Sequence, residues 1–135
     1  MIYTSYFGNK ILKPYPICIA RYCPKYAPMP IYRRLCPTEK ILNLYKSRKI
    51  NERKYAEIYI NDILAKLNPN DVVNEIKETL KVTDFTFCCY EKSSDFCHRH
   101  IVKEWINKYA DYQVLELTSP YRVYNSDFCL EFFKD

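Results

Sequence analysis

The chain has 135 residues and 16.3 kDa, the size of one compact domain, and 48% apolar with 16% aromatic residues is too rich in large hydrophobes for a disordered segment. A single domain over 1–135 is expected. One glycine, Gly8, excludes every Gly-rich phosphate loop, dinucleotide fingerprint and nucleophile elbow. No run of about 18 apolar residues and no signal-peptide pattern is present, so a soluble cytoplasmic protein without a membrane partner is expected.

The seven cysteines are an odd number with no C-x-x-C pair and sit mostly in apolar segments, which argues against a disulfide framework. The net charge of +5 is uneven: residues 1–54 carry +10 and residues 55–135 carry −5. The basic half is therefore a candidate surface for an anionic partner.

In chain order, Ile2 to Phe7 and Pro16 to Tyr22 read as strands, ended by Gly8-Asn9 and by Pro24. Four prolines between Pro24 and Pro37 predict an extended excursion suited to carrying function. Thr38 caps a helix to about Ser47, and a longer helix from Asn51 or Glu52 carries the stripe Ala56, Ile60, Ile63 and Leu67. Asn68-Pro69 opens the next, with Val72, Val73, Ile76 and Leu80 inward. Phe85 to Tyr90, FTFCCY, has the length and composition of a strand buried on both faces, and is expected at the centre of a parallel sheet. A polar turn, a helix from about Asp95 to Tyr109, a strand Val114 to Leu117 and a last hairpin or strand from Tyr121 to Phe133 complete the pattern. Strands alternating with helices predict a small three-layer α/β fold with a mostly parallel sheet.

In such sheets the functional crevice lies beyond the carboxyl ends of the strands, where this sequence puts Glu91 and Cys97-His98-Arg99. On a helical wheel with Ile101 at zero, the apolar stripe centres near roughly 70°, His98 at about 60°, Arg99 at about 160° and His100 at about −100°. His98 is thus expected on the buried face, Arg99 on its flank where removal leaves the stripe intact, and His100 in solvent. The helix N-terminus favours an anion, which Arg99 would strengthen unless it pairs with Glu91, and it also favours a thiolate at Cys97. Neighbours on a helix point about 100° apart, so Cys97 and His98 are not expected to pair as nucleophile and base. No cysteine is followed six positions later by arginine, the pattern of a phosphatase-type loop. Neither the cysteines nor the two histidines show zinc-ligand spacing, so no metal and no other cofactor is expected. Arg21-Tyr22-Cys23-Pro24-Lys25-Tyr26, ahead of Arg33-Arg34, begins where the second strand ends. Arg21 and Lys25 should therefore face the same crevice as Arg99.

The pairing of Cys89-Tyr90-Glu91-Lys92 with Phe96-Cys97-His98-Arg99-His100 resembles the hallmark of the domain of unknown function family 488. Thr4-Ser5-Tyr6-Phe7, Arg21 with Pro24-Lys25, Pro37-Thr38, Tyr45-Lys46, Tyr55 and Tyr59 resemble further positions of that family, over about residues 1 to 117. Residues 118–135 are an extension beyond it, and Ile19 stands where many members carry an acidic residue. The resemblance implies a Rossmann-like domain with a site at Arg21, Cys97, His98 and Arg99.

Two functions follow from these readings. The first is a domain that binds or acts on a phosphate-bearing ligand, a nucleotide or a nucleic-acid end, with Glu91, Cys97 and His98 as catalytic candidates and Arg21, Lys25 and Arg99 as the anion clamp. The second is a non-catalytic nucleic-acid or protein-binding module, in which Tyr15, Tyr22, Tyr26 and Tyr32 interleave with Arg21, Lys25, Arg33 and Arg34.

Overall fold

Residues 1–133 are described by a computed structural model. Four apolar residues and Thr86 form β3, Phe85–Cys89, every one of them buried. It lies inside the sheet, between β1 (Ile2–Tyr6) and β2 (Pro16–Cys18), while β4 (Val114–Glu116) flanks β1. The order is β2-β3-β1-β4 with all pairings parallel, a Rossmann-like α/β arrangement. Alternate residues of β3 serve opposite faces: Phe85, Phe87 and Cys89 join the main core under the helices, while Cys88 packs with Phe7, Cys18 and Ala20 on the other side.

The helices are α1 (Glu39–Lys46), α2 (Glu52–Asp62), α3 (Pro69–Leu80) and α4 (His98–Tyr109). Thr38, Asn51 and Asn68 cap the first three, each side-chain oxygen accepting from a backbone N–H of the first turn. The stripe expected on α2 is altered at its end: the helix stops at Asp62, and a 3-10 turn at Leu64–Lys66 buries Leu64 and leaves Ile63 half-buried. No helix among the described residues is long and apolar enough to cross a membrane.

Three expectations are corrected. The second strand ends at Cys18, four residues early, because a disulfide from Cys18 to Cys23 closes the following residues into a tight loop. That bond is one the cysteine pattern did not predict. The proline-rich segment then returns alongside β2, with Cys18 N–H donating to the Pro30 carbonyl and Tyr32 N–H to the Cys18 carbonyl. Tyr121 to Phe133 forms no strand; it contains 3-10 turns at Pro120–Arg122 and Asp127–Phe132 that bury Cys129 and Phe133 against the helices. The last two residues of the 118–135 extension lie outside the described residues.

Candidate functional site

Beyond the carboxyl ends of β2 and β3 is a pocket of about 120 Å³ lined by Ala20, Arg21 and Tyr22 after β2, Cys89, Tyr90 and Glu91 from the end of β3, and Phe96, Cys97 and His98 at the start of α4. Tyr45 and Lys46 of α1 and Tyr55 of α2 close it. Aromatic packing fixes that wall: the Phe96 ring lies edge-on to Tyr55 at 5.1 Å, and Tyr45 contacts both at 5.4 Å.

The chain reverses from β3 into α4 with Cys97 as the residue just before the helix, in an extended conformation (φ −157°, ψ 148°). This corrects the expectation that Cys97 and His98 diverge. The 100° progression applies only to helical residues, and an extended Cys97 is free to turn its sulfur back to 3.7 Å from His98 Nδ1. The Cys89 sulfur approaches the same ring at 3.9 Å from Nδ1 and 3.6 Å from Nε2. Nε2 is 2.7 Å from the Ile19 carbonyl. A carbonyl only accepts, so Nε2 carries a proton, and Nδ1 faces the Cys97 sulfur.

Burial alone would raise the Cys97 thiol, but the Cys89 thiol, the His98 ring and Arg99 outweigh it and hold Cys97 well below the ordinary thiol value. The Cys89 thiol moves the other way, pushed up by burial and by the neighbouring Cys97 sulfur. His98 would be depressed by burial, yet Cys97 and the Ile19 carbonyl raise it. Glu91, at the mouth, is pushed up to about 6 by desolvation and by Cys97.

Arg99 is placed differently from the flank position read off the wheel. It is fully buried under α4 and donates from Nε and Nη2 to the two oxygens of Glu116 on β4, at 3.1 and 2.8 Å, while Thr4 Oγ1 donates to the same carboxylate at 2.6 Å. Its partner is thus Glu116, neither Glu91 nor solvent, and it does not line the pocket. Its charge is felt there only as a field on Cys97 and Cys89. His100 is also corrected: it is fully buried, its Nε2 donating to the Asp95 carbonyl at 3.0 Å and its ring lying 5.8 Å from Tyr124. The extension from residue 118 covers the side that helical geometry alone leaves open.

Of the expected clamp, Arg21 lines the pocket, Lys25 stands exposed in the next loop without lining it, and Lys46 supplies a cation that charge patterning did not single out. Arg33 and Arg34 lie apart, in a separate depression with Ile17 and Glu75, where Arg34 pairs with Glu75 at 3.5 Å. A wider groove of about 930 Å³ runs between α1 and α2, lined by Tyr45, Lys46, Arg48, Lys49, Arg53 and Tyr124 among others. It shares Tyr45 and Lys46 with the pocket.

A family model described as the active DUF488-N3 subclade matches residues 15–110. The matched segment contains every residue lining the pocket and leaves Glu116 outside. No curated protein and no solved structure matches the chain.

Proposed function

The chain belongs to the DUF488 family, and on that footing we propose that it binds and acts on a phosphate-bearing ligand, a nucleotide or a nucleic-acid end, at the pocket beyond β2 and β3. The observation that carries this reading is the pairing of a small pocket with a wide basic groove. About 120 Å³ is well below the ~300–1,000 Å³ of sites that enclose a whole drug-sized ligand, so it admits one reacting group. The rest of the ligand lies outside, and the adjoining groove offers Lys46, Arg48 and Lys49 to a polyanion.

Arg21 and Lys46 hold the anionic group at the mouth, and Lys25 reaches the part of the ligand that projects outward. Tyr22, Tyr45 and Tyr90 supply flat apolar surface to a ring. Glu91, its carboxyl raised to about 6 by desolvation and by Cys97, is the group for proton transfer, and Cys97 and His98 form the floor against which the reacting group rests. Arg99 acts as a positioning residue, fixing the start of α4 through Glu116.

The second reading, a non-catalytic binding module, is favoured by the exposure of Tyr15, Tyr22 and Tyr26 beside Arg21 and Lys25. Salt dependence separates the two. A mononucleotide held by two or three charges loses affinity gently as salt rises and competes with an oligonucleotide, whereas a surface neutralising many phosphates shows a steep log–log slope. Calorimetric titration across a salt series is expected to give the gentle slope with effective competition. A steep slope without mononucleotide competition overturns the proposal.

A further inference from the structure

We propose that Cys89, Cys97 and His98 form a binding site for one zinc ion, with the fourth coordination position open to the pocket. The donor atoms of these three residues all lie within 4.8 Å of one another. His98 Nδ1 is 3.7 Å from the Cys97 sulfur and 3.9 Å from the Cys89 sulfur. A tetrahedral ion with Zn–S of about 2.3 Å and Zn–N of about 2.0–2.1 Å sets its sulfur and nitrogen ligands roughly 3.5–3.6 Å apart. The two nitrogen–sulfur separations are thus within a few tenths of an ångström of those of a bound ion, and the two sulfurs, within 4.8 Å of each other, would settle at roughly 3.8 Å around it.

The surroundings fit the same purpose. A ligating histidine is normally oriented by a hydrogen bond from its other ring nitrogen, and His98 Nε2 makes that bond to the Ile19 carbonyl at 2.7 Å. This leaves Nδ1 for the metal, 3.7 Å from the Cys97 sulfur, while the Cys89 sulfur stands beside the same ring at 3.9 Å from Nδ1 and 3.6 Å from Nε2. Two thiolates and a neutral imidazole balance a divalent cation, so the site is electrically neutral where all three side chains are buried. Two sulfurs and one nitrogen select zinc over magnesium or calcium, which prefer oxygen.

The expectation of no metal rested on sequence spacing and on two histidines that diverge along one helix. A second histidine is not needed, because the carboxyl end of β3 delivers Cys89 and the extended Cys97 turns back beside it. All three ligands line the pocket, so the fourth position faces whatever enters it. Three protein ligands with one open position is the arrangement of catalytic rather than structural zinc, and it would polarise a bound water or a phosphoryl oxygen. The metal site does not depend on the ligand proposed above, since its occupancy is read without one.

The test is metal binding by the full-length reduced chain. After equilibration with zinc chloride and desalting, elemental analysis is expected to give one zinc per chain, removable by a chelator. Cobalt(II) in its place is expected to produce a thiolate-to-cobalt charge-transfer band and the intense visible bands of a tetrahedral ion. Cys97→Ser and Cys89→Ser should each weaken zinc binding at least 100-fold, whereas Cys36→Ser and Cys88→Ala, whose side chains lie elsewhere, should leave it unchanged. If the site variants fold poorly, the parent's cobalt spectrum and zinc stoichiometry still decide. Zinc well below one per chain, a cobalt spectrum without sulfur bands, or equal loss in Cys36→Ser overturns the proposal.

Discussion

Replacing Arg99 by alanine should cripple the fold before it affects any ligand. The side chains of Arg99 and Glu116 are 0% and 1% exposed, and the guanidinium donates two hydrogen bonds to a carboxylate also held by Thr4. Removing one partner of such a pair leaves a buried charge uncompensated and costs about 3–5 kcal/mol. That is a large part of the ~5–15 kcal/mol available to a domain. Urea unfolding followed by the fluorescence of Trp105, the single tryptophan and a buried one, reads the effect directly. Glu116→Gln should cost nearly as much, by stranding Arg99. The double variant Arg99→Met with Glu116→Leu should recover most of the loss, since apolar side chains of similar size replace a buried pair with little penalty.

Acid titration gives an independent check on the same pair. Burial alone would raise Glu116, but Arg99 and Thr4 outweigh it and hold the carboxyl below its ordinary value. A folded-state value below the unfolded one, about 4.3, makes the pair's contribution full above that pH and lost as pH falls through the folded value. His100, which faces the same carboxylate at 4.0 Å, is depressed by burial and by Arg99. It adds a separate loss as pH falls below its unfolded value of about 6.5. The double variant should keep the His100 loss and lack the one near pH 4. An unchanged urea midpoint for Arg99→Ala, or a double variant no better than the single, would refute the reasoning.

His98→Ala should cost about 2–4 kcal/mol, because it opens a cavity among Cys89, Cys97 and Tyr59 and strips the Ile19 carbonyl of its donor; a melting temperature equal to the parent's contradicts this. Arg21→Ala, at an exposed position, should leave stability within about 0.5 kcal/mol of the parent. The same substitution should weaken mononucleotide binding about tenfold, which calorimetry measures. Non-reducing peptide mapping should find Cys18 linked to Cys23, and Cys23→Ser should cost about 2 kcal/mol or less because the closed loop is short; recovery of both as free thiols from air-exposed protein would count against the bond.

The sheet was legible because its signal is local. FTFCCY, capped helices and proline punctuation each point to one element, and the four parallel strands begin where the apolar runs put them, although the second stops at Cys18 and the expected last strand is absent. His98 was also legible, since helical geometry holds from the first residue of α4 onward. Cys97 was not, because it lies one residue outside the helix, where the wheel has no meaning. Arg99 and His100 were misplaced for a tertiary reason. The wheel counts only the face toward the main core, whereas Glu116 on β4 draws Arg99 inward and Tyr124 from the extension roofs His100. The one available signal was Glu116 itself, a carboxylate at the end of a short apolar strand with no local cation to pair with. Lys46 entered only through the family resemblance, because its place at the pocket depends on how α1 folds over the sheet, which no local pattern encodes.

The central claim is that a phosphate-bearing ligand is bound where Arg21, Glu91 and the start of α4 converge. Amide NMR spectra of the full-length chain, recorded while a mononucleotide is titrated in, test it residue by residue. The largest changes are predicted at Ala20, Arg21, Glu91, Cys97 and His98, with smaller ones along Lys46, Arg48 and Lys49. Saturable changes confined to Arg33, Arg34 and the face around Glu75, or none at all at millimolar ligand, would contradict it.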